Sequence, residues 1–183
     1  MKYLALLFLI IFTSCNFDKS ESSNEHILKQ VEESNQQWKM TTYYLIRHSE
    51  KDRTDPTEKD PELNSEGIAR AQNWATILKD VPFNAIYSTN YKRTKATAQP
   101  IADSKNLQIE TYDPEDMYNA DFQEKTKGKI VLIVGHSNTT PAFANAIYGN
   151  GNYPDLPDDE NGALFIVSVS PSNLISTQVL YIN

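Results

Sequence analysis

From about residue 39 onward, short apolar runs alternate with longer segments whose apolar residues recur at helical spacing. Residues 41–46 (TTYYLI) are β-branched and aromatic, and read as a buried strand. Residues 129–134 (KIVLIV) form a near-continuous apolar run, as in parallel strands covered on both faces. Residues 85–88 (AIYS) give a shorter third strand and 108–112 a fourth. Residues 163–168 and 176–182 read as a closing antiparallel pair joined through Pro171-Ser172-Asn173. Between the strands, Ile68, Ala71, Trp74, Ala75 and Leu78 make one helical stripe, with Asn64 or Ser65 as its N-cap. Thr94, Ala98 and Ile101 predict a second helix that Pro100 kinks or ends early. A third is predicted from Pro141 after a Thr140 cap, through Phe143, Ala144 and Ile147. Strands alternating with helices predict an α/β three-layer sandwich with a mainly parallel central sheet. Residues 149–162, rich in Gly, Asn, Asp and Pro, read as a surface loop.

The length of 183 residues suits one compact domain, and 39% apolar content supplies its core. The formal charge of -7 and pI near 4.9 exclude a nucleic-acid binder that works through a broad basic surface. A single cysteine excludes a disulfide framework and any multi-thiolate metal site.

That cysteine, Cys15, follows a signal-like segment. Lys2 precedes an apolar run over residues 3–12, too short to span a bilayer but suited to a secretory h-region. Thr13, Ser14 and Cys15 follow, and the whole resembles a bacterial lipoprotein signal, with Phe12 where that pattern usually has an aliphatic residue. The resemblance implies lipidation of Cys15, membrane attachment through the N-terminal lipid and a cell-envelope location, periplasmic or outer-membrane. Residues 1–15 are thus expected to be signal and lipidation site, 16–38 a polar tether, and 39–183 the folded domain. His26 falls in the tether and reads as a solvated linker histidine.

The chemistry-bearing residues sit just after predicted strands. Arg47-His48 follows the first strand, Gly135-His136-Ser137 follows KIVLIV, and Arg93 lies a few residues past AIYS. Ligands in open α/β sheets bind outside the carboxyl ends of strands, so these groups converge if the three strands are neighbours. Two guanidinium forks suit phosphate oxygens. A neutral imidazole is a competent nucleophile near pH 7, and nearby arginines keep it neutral. A second histidine can donate to phosphoryl oxygens as charge shifts during transfer. This scheme calls for no metal and no cofactor, and the chain has no HExxH motif.

Arg47-His48-Ser49-Glu50 resembles the RHGE-type signature of the histidine phosphatase superfamily, the phosphoglycerate mutase-like fold. Leu63-Asn64-Ser65-Glu66-Gly67 resembles that family's L-T-x-x-G helix start. Tyr87-Ser88-Thr89 with Arg93 and Thr97-Ala98 resembles its S-x-x-x-R-x-x-x-T-A stretch, and Gly135-His136-Ser137 its G-H-x block. Four motifs in order are far more specific than any one. The resemblance implies a phosphohistidine intermediate on His48 and a phosphoryl group held by Arg47, Arg93 and His136. It also implies a carboxylic acid that protonates the leaving oxygen. Glu115 is the first choice, with Asp113, Asp116, Glu110 and Asp121 in the same window.

Glu50 reads as a structural residue that orients Arg47. Lys51 and Arg53 read as solvated loop charges, within reach of a substrate's second phosphate. Asp158-Asp159-Glu160 reads as a solvated acidic loop. The expected function is a metal-independent phosphomonoester hydrolase acting on a small phosphorylated substrate. The alternatives are a phosphatase of phosphohistidine proteins and a non-catalytic lipoprotein that binds phosphate esters. The segments 51–63 and 113–127 carry no signature of the substrate.

Overall fold

The computed structural model describes residues 26, 29–31 and 39–182. The chain divides into Met1–Gln36 and Gln37–Asn183. In the first unit the described residues His26, Lys29, Gln30 and Val31 are helical and exposed. Cys15, the signal-like segment and most of the expected tether lie outside the described residues.

The described residues of the second unit form six strands and four helices: β1 (Thr41–Arg47), α1 (Ser65–Ile77), β2 (Ala85–Ser88), α2 (Lys92–Lys105), β3 (Ile109–Thr111), α3 (Ala120–Thr126), β4 (Ile130–Gly135), α4 (Thr139–Tyr148), β5 (Ala163–Val169) and β6 (Ile175–Tyr181). One sheet runs β3-β2-β4-β1-β5-β6. The first four strands in that order pair in parallel, and β5 is antiparallel to both β1 and β6. This is the expected α/β sandwich.

Alternation along the central strands builds two cores. Tyr43, Leu45, Val131, Ile133 and Phe165 face one side, where Phe122 of α3 and Phe143 and Ile147 of α4 cover them. Ile46, Ile86, Leu132, Val134 and Leu164 face the other, under Trp74 of α1 and Ala98 and Ile101 of α2. Burying each of the larger side chains contributes roughly 1.5–3 kcal/mol.

Three helical expectations change. Ile68 is 52% exposed, so the buried stripe of α1 runs through Gly67, Ala71, Trp74 and Leu78 instead. Helix α2 continues through Pro100 to Lys105 and ends at Asn106 in the left-handed region. Helix α4 starts at Thr139, after Asn138, so Thr140 is a buried helical residue rather than the cap. Among the described residues, no helix is long and apolar enough to cross a membrane.

The sheet order settles the condition left open by the sequence. β4 lies between β1 and β2, with Arg47 beside Gly135 and Ser88 beside Val134. The carboxyl ends of these three strands are therefore adjacent, and the segments that follow them meet at one sheet edge.

Candidate active site

Arg47 ends β1 with its side chain 2% exposed. One guanidinium nitrogen, Nη1, donates to the carbonyls of Pro157 (2.8 Å) and Glu160 (2.9 Å); the other, Nη2, reaches Asp158 Oδ1 at 3.3 Å. The loop between α4 and β5 thus orients this arginine. Glu50, expected to do so, instead accepts from Arg70 Nε at 2.7 Å. Asp158 also takes both terminal nitrogens of Arg53, at 2.9 and 3.0 Å, so this solvent-exposed acid of the loop pairs with two arginines.

His48 is buried and fixed on several sides. Its backbone N–H donates to Gly135 O, and its carbonyl accepts from Asn161 Nδ2. Its Nδ1 lies 2.7 Å from the carbonyl of Ser49. A carbonyl only accepts, so Nδ1 carries the proton and Nε2 keeps its lone pair. Burial, followed by the charges of Arg47 and Arg93, lowers the His48 pKa to about 3. The ring is therefore neutral throughout the physiological range.

Arg93 lies in the first turn of α2, stacked over Tyr91 at 4.4 Å from the ring centroid. Asp60 Oδ1 lies 3.4 Å from its Nη1 and also accepts the Lys92 backbone N–H. The other terminal nitrogen, Nη2, reaches His136 Nδ1 at 3.3 Å. Thr97, one turn on, accepts from the Ser49 N–H and donates to the Arg93 carbonyl, tying α2 to the end of β1.

His136 follows β4, with its ring centroid 5.5 Å from that of His48. Its Nε2 lies 2.9 Å from Thr89 Oγ1. Burial, then Arg93, Arg47 and Lys51, lower its pKa to about 4.

These groups line a cavity of about 360 Å³, formed by Arg47, His48, Lys51, Arg93, His136 and Asp158 with Tyr91, Pro114 and 137–139. A second cavity of about 910 Å³ adjoins it, and the two share His48, Lys51 and Asp158. Among the described residues no group of three or more His, Cys, Asp or Glu is placed to hold a metal ion.

Arg47, His48, Arg93 and His136 are thus brought together. Glu115 is not among the residues lining either cavity; it is exposed in a turn, its N–H donating to Asp113 Oδ1. Glu110, Asp113, Asp116 and Asp121 are also absent from both linings, and Pro114 represents this segment in the smaller cavity. Thr89, Tyr91 and Asp158 are not assigned to the site from sequence, which gives Lys51 only as a loop charge within reach of a second phosphate. The one available signal for Asp158 was the length of its loop, since long loops in compact domains are usually functional.

The family model for the histidine phosphatase superfamily (branch 1) matches residues 43–114, which include Arg47, His48 and Arg93. That stretch of the chain is thus similar in sequence to the histidine phosphatase superfamily. No curated protein matches it. Its fold is similar to SixA of Agrobacterium tumefaciens: 21% identity, TM-score 0.58, covering 78% of this chain and 99% of that one. It is also similar to the protein histidine phosphatase SixA complexed with tungstate, at 17% identity and TM-score 0.62, covering 76% and 96%. Phosphoglycerate mutase from Bacillus anthracis gives 15% identity and TM-score 0.62, covering 80% and 95%. At these identities the likeness is one of fold, the phosphoglycerate mutase-like sandwich.

Proposed function

We propose that this protein is a metal-independent phosphomonoester hydrolase that passes the phosphoryl group through His48. The carrying observation is the Nδ1–Ser49 hydrogen bond, which leaves His48 Nε2 unprotonated beside two arginines and a second histidine. In the first step Nε2 forms a bond to phosphorus as the ester P–O bond breaks. Arg47 and Arg93 hold the equatorial oxygens, and His136 donates to them once it is protonated beside the bound anion. Water then displaces His48 and releases inorganic phosphate.

The test is turnover of p-nitrophenyl phosphate and a panel of sugar phosphates by the full chain with EDTA present, beside His48→Ala. Turnover that survives EDTA and is lost in the variant supports the reading. Unchanged turnover in the variant contradicts it. Tight phosphate binding without turnover of any substrate points to a binding module.

A second reading, a phosphatase of phosphohistidine proteins, is favoured by one observation. None of the five carboxylates expected to protonate a leaving oxygen lines the cavities, and an imidazole leaves phosphorus without needing a strong acid. The fold neighbour described as a protein histidine phosphatase points the same way. Transfer from a phosphohistidine peptide but not from sugar phosphates would establish it. We further propose, on the sequence alone, envelope attachment through a lipid on Cys15. Cys15→Ser is expected to move the protein from the membrane to the soluble fraction.

A further inference from the structure

The phosphoryl cavity holds a nucleophile and anion-binding groups, but the reading above leaves open which group protonates an alcohol as it departs. Such a donor must sit where the phosphoryl cavity meets the space for the leaving group. Only His48, Lys51 and Asp158 line both cavities. His48 is the nucleophile. Asp158 is bound by Arg47 and Arg53, which hold its carboxyl below the usual range, so it carries no proton to give near pH 7.

We infer that Lys51 is the proton donor to the leaving oxygen, an inference that rests on the phosphomonoesterase reading. Its backbone is pinned by a bridge to Leu63, flanked by the Asp52 N–H to Glu62 and the Asn64 N–H to Glu50 bonds, so the side chain springs from a fixed point. Every other cation at the site has a carboxylate partner: Arg47 and Arg53 have Asp158, Arg93 has Asp60, and Arg70 has Glu50. Lys51 makes no hydrogen bond or ion pair of its own among the described residues. The charged groups acting on it are Arg53, Arg93, Asp158 and Arg47, and it acts in turn on His136. Burial and the arginines hold its ammonium below the ordinary lysine value, which makes it a readier donor.

The steps balance. As His48 Nε2 bonds to phosphorus and the P–O ester bond breaks, the Lys51 ammonium proton passes to the leaving oxygen and the alcohol departs. The neutral amine then takes a proton from water. The water oxygen bonds to phosphorus as the N–P bond breaks, restoring His48 and the ammonium and releasing phosphate.

The test compares the full-length chain with Lys51→Gln and Lys51→Arg on two esters, an alkyl phosphate such as glycerol phosphate and p-nitrophenyl phosphate. An alkoxide needs its proton and p-nitrophenolate does not. In Lys51→Gln, kcat on the alkyl ester is expected to fall roughly 10²–10⁴-fold, at least tenfold more than on the aryl ester. Lys51→Arg keeps the charge but not a transferable proton, so it restores KM without restoring the alkyl kcat. Thermal unfolding midpoints check that both variants fold. Equal losses on the two esters, or an alkyl kcat restored by arginine, overturn the assignment while leaving the phosphatase reading intact. No turnover of either ester by the unaltered protein overturns both.

Discussion

Thr89 fixes which nitrogen of His136 carries the proton. Its hydroxyl donates to Thr94 Oγ1 at 3.0 Å, so toward His136 it can only accept. The 2.9 Å contact is therefore an Nε2–H donating to Thr89, and His136 Nδ1 keeps the lone pair that accepts from Arg93. Thr94 in turn donates to the carbonyls of Thr89 and Tyr91, which closes the chain of bonds at the start of α2.

Removing this acceptor is expected to free the ring. Thr89→Val keeps the shape and loses the hydroxyl. A net hydrogen bond is worth about 1–1.5 kcal/mol, so kcat/KM is expected to fall about tenfold, with Thr89→Ser close to the parent. Steady-state kinetics on one aryl ester check it, and equal activity in Thr89→Val contradicts the role.

The two histidines give a pH dependence of defined sign. Both have folded pKa values, about 3 and about 4, below the ordinary histidine value. Below pH ~6.5 the unfolded chain binds protons that the folded chain resists, so stability falls as pH drops from there toward 4. Above pH ~6.5 these groups contribute no slope. Denaturant midpoints measured from pH 8 to 4 are expected to decline on the acid side, less steeply in a His48→Asn/His136→Asn double variant.

Asp158 places a carboxylate against Arg47, in the cavity proposed to take the phosphoryl group. Its removal should help anions bind, because Arg47 stays aimed by the carbonyls of Pro157 and Glu160. Exposed ion pairs are weak, so Asp158→Asn is expected to lower the inhibition constant of inorganic phosphate by no more than about tenfold. The difference should shrink with added salt. Competitive inhibition at two ionic strengths measures it.

Gly67 explains one of the sequence motifs in physical terms. A Cβ there would overlap the backbone carbonyl of Glu50, which has no room to retreat because Asn64 N–H is bonded to it. Gly67→Ala is expected to destabilise the fold by about 1–3 kcal/mol. It should also disturb Lys51, the next residue. Urea unfolding monitors the first effect and alkyl-ester turnover the second.

The sequence could set Arg47, His48, Arg93 and His136 near one another because each lies at or just after the end of a strand whose apolar run marks where the sheet ends. What sequence withheld was the strand order that makes those ends adjacent. The loop residue Asp158 was missed because its partners lie more than a hundred positions away. The sequence puts Lys51 only within reach of a second phosphate for a related reason: its place between two cavities depends on pairing of 50–52 with 62–64. Helix α3 was missed as well. Seven residues with two buried side chains, Phe122 and Thr126, give too little periodicity to detect, although Asn119 caps it. Pro100 misled in the other direction, because packing of Ala98, Ile101 and Ala102 carries α2 past it.

The proposed reaction stands or falls with transfer of the phosphoryl group to His48. Rapid mixing with a phosphate ester, an alkaline quench and peptide mass spectrometry test it directly. An acid-labile phosphoryl adduct is expected on the peptide containing His48, absent in His48→Ala and accumulating when water attack is slowed. Turnover at full rate with no adduct on His48, or an adduct on another residue, would contradict it.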